Sequence, residues 1–150
     1  MSDTVIVPPV GGGRRRRGPF IPPLLVIPFL IFNIVGFLLY GQDPSRWADK
    51  LFQIRMVSGT EWALTSGDLL LVVGLVCLFF EVLKSTNTGR SSIIEHMLST
   101  ALFVVFLIEF LLAGAAASSV FFLLMIMSIV DVVAGFTISI TGAGRDVTME

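Results

Sequence analysis

The sequence has little charge and few of the side chains on which most protein chemistry depends. Only 14% of its 150 residues are charged and 55% are hydrophobic, and it has one cysteine, Cys77, and one histidine, His96. Because a soluble domain carries about 25% charged residues, this composition does not suit a core surrounded by water. A single cysteine excludes an intramolecular disulfide and a cysteine-rich metal site. The net charge of -1 also argues against nucleic acid as a partner.

Motifs for nucleophilic or metal chemistry are missing as well. The sequence has no His-Glu-x-x-His, no glycine-rich phosphate loop followed by lysine, and no compact set of serine, histidine and acid. A metal site made of protein ligands would have to use carboxylates, and Glu109 with Asp131 is its one candidate nucleus. We therefore predict a protein that is not an enzyme and that carries no cofactor and no metal.

Instead, the sequence has four long apolar runs. Each is about twenty residues long, which as a helix is enough to cross about 30 Å of hydrocarbon. The runs predict an all-α polytopic membrane protein whose four transmembrane helices form an antiparallel bundle. The predicted helices are 20–40, 66–84, 93–113 and 119–141, with a disordered basic tail at 1–19 and a polar tail at 142–150.

Local signals refine three of these helices. Pro22 and Pro23 suit the first turn of helix one, while Pro28 would lie inside it and bend it. Either Thr65 or Ser66 can cap the N-terminus of helix two, and Asp68 would then lie in its first turn, where the helix dipole favours negative charge. The very short connection 114–118 requires helices three and four to form an antiparallel hairpin.

The segment between helices one and two is more polar than the helices. Trp47, Leu51 and Ile54 recur in it at i, i+4 and i+7, which predicts a short amphipathic helix on the membrane surface. Trp47 and Trp62 would be interfacial anchors of that segment.

Basic residues predict the orientation of the chain in the membrane. With the N-terminus inside, seven lysines and arginines lie on the cytoplasmic side and three on the other, so the positive-inside rule places both termini in the cytoplasm. In its helix pattern the chain resembles small four-helix proteins of the bacterial inner membrane, and we expect that location. The strongest topology signal is the run Arg14, Arg15, Arg16 and Arg17.

Small and polar residues form seams on the predicted helices. On helix two, Gly67, Gly74 and Glu81 repeat every seven residues, and helix four has a similar stripe. Small residues allow close backbone approach and polar residues avoid lipid, so we expect the seams to face each other. The predicted packing seam is Gly74, Ser128, Gly135 and Ser139.

Carboxylates inside the apolar runs are the anomaly of this sequence. Glu109 and Asp131 lie well inside their helices and Glu81 about one turn from a helix end, whereas every lysine and arginine lies in a tail, a loop or a helix terminus. An ionised carboxylate alone in hydrocarbon costs several kcal/mol. These groups must therefore be protonated, hydrated or paired with a cation from outside this copy of the chain.

Two hypotheses follow. In the leading one, the chain is a non-enzymatic accessory subunit or homo-oligomer that works through helix contacts, and a lysine or arginine of a membrane-protein partner neutralises Glu109 and Asp131. In the alternative, it is a small proton- or cation-coupled transporter or channel. If Glu109 and Asp131 face lipid, a missing subunit is favoured. If they face each other, a shared proton or ion site is favoured. The pathway of the alternative would be Asp68, Glu81, His96, Glu109 and Asp131.

Overall fold

The computed structural model describes residues 22–86 and 90–146, of which most lie in helices. In chain order the main elements are α1 (Val26–Ile34), β1 (Lys50–Arg55), β2 (Glu61–Thr65), α2 (Ser66–Ser85), α3 (Arg90–Leu112) and α4 (Ser119–Asp146). A π-helical turn, Val35–Leu39, extends α1, and two 3₁₀ helices, Pro44–Ala48 and Gly114–Ala116, lie in the connections. The predicted tail at 1–19, which includes Arg14 to Arg17, falls outside the described residues. The prediction of a polar tail from residue 142 was wrong for 142–146, because α4 continues as a helix through Asp146.

Three helices are long and apolar enough to cross a membrane. They are Ser66–Ser85, Ile94–Leu112 and Ser119–Ile138, of 20, 19 and 20 residues. Their positions agree with the predicted second, third and fourth spans, so composition and length are those of a membrane protein.

The first helix is shorter than predicted. Nine α-helical and five π-helical residues extend from Val26 to Leu39, and at 1.5 Å per residue they cover about 21 Å. The prediction that Pro22 and Pro23 lie in its first turn was wrong, because both precede the helix and the Pro23 carbonyl accepts from the Val26 N–H at 3.2 Å. Pro28 lies in the first turn, where a missing N–H costs no helical hydrogen bond, so the reason for expecting a bend there disappears.

The prediction of an amphipathic surface helix in 41–65 was wrong. The 3₁₀ helix Pro44–Ala48 is followed by an antiparallel hairpin in which Phe52 pairs with Leu64 and Ile54 with Trp62. From Phe52 to Arg55 apolar and polar residues alternate, which suits a strand, and the register shifts between Lys50 and Phe52. Gly59 adopts φ +84° in the turn. The helical spacing of Trp47 with Leu51 and Ile54 was coincidental, because Trp47 belongs to a different element.

The second strand leads directly into α2. Thr65 ends β2 and caps the helix: its hydroxyl accepts from the Asp68 N–H at 3.1 Å, while the Asp68 carboxylate accepts from the Thr65 N–H at 2.9 Å. This reciprocal pair is a capping box. It identifies Thr65, and not Ser66, as the cap and confirms the placement of Asp68 in the first turn.

Helix α4 packs against both α2 and α3. It runs antiparallel to α3, as the short connection predicted, and Ser118 begins it by accepting from the Phe121 N–H at 3.2 Å. It runs parallel to α2, because Gly67 lies against Val120 and Gly74 against Leu124 and Met127. The predicted seam of α2 therefore faces α4.

Aromatic rings fill the space between α1, α3 and α4. Phe32, Phe106 and Phe121 are fully buried, with Phe32 and Phe121 ring centroids 4.7 Å apart. Trp47 stacks on Phe32 at 4.7 Å and is 4% exposed, so it belongs to the core and not to the interface. The outward side of α2 is apolar over four turns, with exposed Leu69, Val72, Leu75, Val76, Phe79, Phe80 and Leu83.

Candidate functional site

A group of ionisable side chains lies where α2, α3 and α4 meet, beside the start of α1. The Lys84 Nζ atom is 2.8 Å from Glu81 Oε1 and 3.7 Å from Glu95 Oε2, so one lysine joins α2 to α3. Glu81 is 4% exposed, whereas the Lys84 and Glu95 side chains are 17% and 16% exposed. We call Glu81, Lys84, Glu95, Ser99 and Asp131 the Lys84 cluster.

The second carboxylate oxygen of Glu81 binds the start of the first helix. Glu81 Oε2 accepts from the backbone N–H of Leu24 at 2.7 Å. Amides at the start of a helix have no intrahelical acceptor, and a buried N–H without one is costly. Glu81 therefore satisfies an amide of the α1 entry and the Lys84 ammonium together.

Asp131 adds a third carboxylate to the Lys84 cluster from α4. It is 4% exposed, the Ser99 hydroxyl on α3 hydrogen-bonds to it, and it is close enough to Glu81 and Lys84 to interact electrostatically with both. The cluster thus holds three carboxylates and one lysine among the side chains that the structure describes. The contact of Lys84 with Glu95 joins α2 to α3, and that of Ser99 with Asp131 joins α3 to α4. Glu81 joins the end of α2 to the entry of α1.

His96 lies beside this cluster on α3. Its ring occupies the space that a Cβ atom on Gly135 would need, and it stacks on Phe136 with ring centroids 5.9 Å apart. The seam glycine Gly135 thus makes room for an imidazole rather than for a helix backbone. Two residues that the sequence singled out separately, His96 and Gly135, are in contact.

The expectation that no cation within the same chain reaches these acids was wrong for Glu81. Lys84 lies three residues after Glu81 and shares its helix face, so its flexible side chain can turn back to the carboxylate. By its place in the sequence, Lys84 is one of the basic residues at a helix terminus, and no pattern indicates that it turns back toward Glu81. Ser99 and the Leu24 amide were missed too, because neither has a distinguishing pattern in the sequence.

Glu109 lies elsewhere, between α3 and α1. Its Oε2 accepts from Asn33 Nδ2 at 3.2 Å, and the same amide nitrogen donates to the Phe29 carbonyl at 3.1 Å. Glu109 Oε1 is buried and has no hydrogen-bond partner among the residues described. It is the one buried side-chain polar atom in this part of the chain that is left unsatisfied.

Glu109 and Asp131 do not share a site. The neighbouring residue Phe110 packs on Phe121 and Phe122, so Glu109 lies level with Phe121 on α4. Ten residues of helix separate Phe121 from Asp131, or about 15 Å along the axis. Leu124 and Ser128, both buried, lie on α4 between these levels.

Asp68 lies at the opposite end of α2 from the Lys84 cluster, about 20 Å from Glu81 along the helix. Its carboxylate is occupied by the Thr65 cap. It borders a groove of about 480 Å³ that Trp47, Ser118 and Val120 also line. Beside the groove, the Ser45 hydroxyl and N–H hold the pKa of the Asp43 carboxyl below its ordinary value.

The remaining predicted seam residues are placed as follows. Gly74 and Ser128 are buried, Ser128 at 1% exposed. The side chain of Ser139 falls outside the described part of the structure. In the ranges 22–86 and 90–146, no group of three His, Cys, Asp or Glu side chains is arranged to hold a metal ion.

Comparisons of the chain with protein-family models, with curated proteins and with solved structures find no match.

Proposed function

We propose that this chain is a non-enzymatic membrane protein with four crossings, which acts as an accessory subunit or a homo-oligomer in a bacterial inner membrane. In this proposal α1 is the fourth crossing, since Phe29 packs on Phe106 and Leu24 on Glu81. A parallel direction of α1 and α3 is supported because Asn33, one turn after Phe29, bonds to Glu109, one turn after Phe106. An antiparallel direction of α1 and α2 is supported because the start of α1 contacts the end of α2. A span this short is accommodated by local thinning of the bilayer. The arginines that precede α1 favour cytoplasmic termini.

The observation that carries the proposal is the unsatisfied Oε1 atom of Glu109. A buried carboxylate oxygen without a donor costs about 1 to 3 kcal/mol, and Asn33 serves only the other oxygen. A lysine or arginine from a second copy or another subunit, entering between α1 and α3, would supply the missing donor and charge. The outward side of α2 offers such a partner an apolar surface.

Asp131 no longer supports a missing partner, because Ser99 and Lys84 already face it within the chain. The test uses this difference between the two acids. The full chain is purified in mild detergent and its assembly is measured by native mass spectrometry and by stoichiometric co-purification. We expect a defined oligomer or a stoichiometric partner, which Glu109→Leu dissociates and Asp131→Asn leaves assembled.

Circular dichroism of both variants confirms that each is folded before the comparison is made. A wild-type chain that stays monomeric and partner-free, or an assembly indifferent to Glu109→Leu, overturns the proposal.

A second candidate is proton or cation coupling at the Lys84 cluster. Glu81 and Asp131, each 4% exposed, both lie close to Lys84. Ionisation of both carboxylates places two negative charges beside this ammonium group, and protonation of one carboxylate or entry of a monovalent cation would reduce their repulsion. Two residues of the pathway predicted from the sequence are not part of this candidate site. Asp68 serves as a helix cap, and Glu109 lies at a different level of the bundle.

This candidate predicts pH-dependent proton or cation flux in sealed vesicles that contain the purified chain. Asp131→Asn should abolish the flux, and Asp68→Asn, which lies at the far end of α2, should leave it unchanged. Vesicles that show no flux over a wide pH range would eliminate the candidate.

A further inference from the structure

The β-hairpin has one apolar face and one polar face. Directly paired residues point to the same side of a two-stranded sheet, and successive residues alternate. The pairs Phe52 with Leu64 and Ile54 with Trp62 therefore form one face. On the other face, the Gln53 amide donates to Glu61, which pairs in register with Arg55. We call Phe52, Ile54, Trp62 and Leu64 the apolar hairpin face.

Most of the apolar hairpin face is open to the surroundings. Phe52 is 55% exposed, Ile54 42% and Trp62 46%. Each Å² of apolar surface left in water costs about 25 cal/mol, and three large side chains of this kind make a sizeable patch. No other described element of the chain covers it.

The strand that carries Trp62 and Leu64 leads directly into a helix that can cross the membrane. Thr65 is at once the last residue of β2 and the cap of α2, so no residue separates the hairpin from the helix. The exposed apolar side chains resume on α2 at Leu69 and Val72. The base of the hairpin is held in place because the Ser66 N–H donates to the Asp49 carbonyl at 3.1 Å.

We propose that the apolar hairpin face lies on the lipid surface, with its side chains among the headgroups and upper acyl chains of the non-cytoplasmic leaflet. The inference rests on the proposed membrane-spanning arrangement of the helices. Trp62 supplies an indole, the side chain typical of the membrane interface. None of the four residues of the apolar hairpin face is charged, so neutral lipid is sufficient for the contact.

The test places a nitroxide label on each face of the same strand. In a Cys77→Ala background, Ile54→Cys reports the apolar face, Gln53→Cys reports the polar face, and Val76→Cys reports the middle of the α2 outer side. Each full-length variant is reconstituted in phosphatidylcholine nanodiscs. Collisions of the label with oxygen, which concentrates in lipid, are compared with collisions with a water-soluble nickel chelate.

We expect the ratio of oxygen to nickel collisions to be several-fold higher at position 54 than at 53, and highest at 76. Strong nickel collisions at both 53 and 54, with 76 still in lipid, would overturn the hairpin inference alone. Loss of both collision types at 54 would show that protein, such as a second copy, covers the face, and would also overturn it. A water-exposed label at 76 would instead remove the membrane-spanning arrangement.

A second measurement avoids changing the apolar face. In a Trp47→Phe variant, Trp62 is the only tryptophan. Its fluorescence should be quenched more by lipids brominated near the headgroup end of the acyl chains than by lipids brominated near the terminal methyl. Trp62 emission typical of water, with no quenching by either lipid, would contradict the inference.

Discussion

The carboxylate of Glu81 accepts a hydrogen bond from the Leu24 backbone at 2.7 Å, although the two residues are 57 positions apart in the chain. The other oxygen of the same carboxylate contacts the Lys84 ammonium at 2.8 Å. One buried side chain therefore connects the entry of α1 to the end of α2. Through Lys84 and Glu95, the connection extends to α3.

Removal of the Glu81 carboxylate should loosen this end of the protein. Glu81→Leu leaves the Leu24 amide without an acceptor and Lys84 without its nearest carboxylate, so we expect a loss of about 3 kcal/mol in unfolding free energy. Glu81→Gln keeps an acceptor for Leu24 and should cost less, about 1 kcal/mol. Denaturant titration in detergent, followed by tryptophan fluorescence, measures both. Glu61→Gln on the exposed hairpin serves as the control, and equal stability of all three variants would contradict the prediction.

The glycines of the α2 seam should differ in what they tolerate. A Cβ atom at Gly67 would lie 2.9 Å from the Trp47 carbonyl oxygen, which is backbone and cannot turn away. We expect Gly67→Ala to cost about 2 kcal/mol. At Gly74 the Cβ would meet the ends of the flexible Leu124 and Met127 side chains, so Gly74→Ala should cost less, about 1 kcal/mol.

Gly114→Ala is the matched control for the glycine series, because nothing lies within 4 Å of a Cβ atom there. In thermal unfolding in a single detergent, the loss of stability should be largest for Gly67→Ala and smaller for Gly74→Ala. Gly114→Ala should be as stable as the unchanged protein. Any other order would show that backbone approach is not the limiting contact along this seam.

Two neighbouring hydroxyls on α3 should respond differently to removal. The Ser99 hydroxyl bonds to the buried Asp131 carboxylate on another helix, so Ser99→Ala should cost about 1 to 2 kcal/mol. The Thr100 hydroxyl donates only to the His96 carbonyl of its own helix at 2.8 Å. Thr100→Ala should therefore be close to neutral. Equal losses measured by denaturant titration would argue against the contact between helices.

The capping box at the start of α2 should show coupling between its members. Thr65→Ala and Asp68→Ala each remove one half of a reciprocal pair and should each cost about 1 kcal/mol. The double variant should cost clearly less than the sum of the two single costs, because the second change finds its partner already lost. Additive losses in a double-mutant cycle would mean that the two hydrogen bonds act independently.

Sequence reasoning succeeded where one local property decided the outcome. Long apolar runs located three of the helices to within five residues at each end. The cap of helix two was narrowed to Thr65 or Ser66 by residue type alone, and the bond to Asp68 identified Thr65. It failed between helices one and two, since apolar residues there satisfy both the helical spacing of Trp47, Leu51 and Ile54 and the alternation of a strand. The turn at Gly59 and the partner strand settled that ambiguity.

The helical character of the chain, its poverty in charge and the anomaly of acids inside apolar runs were decided by the sequence alone, because hydropathy and length depend on no partner. Which groups meet was decided only by the tertiary structure. The rotation of the helices and their relative levels brought Glu81 and Asp131 to Lys84. Glu109 lies beside Asn33, about 15 Å along the bundle from the level of Asp131. Side chains reach only a few ångströms, so a residue's position along and around a helix determines its neighbours. That position relative to the other helices cannot be read from spacing in the sequence.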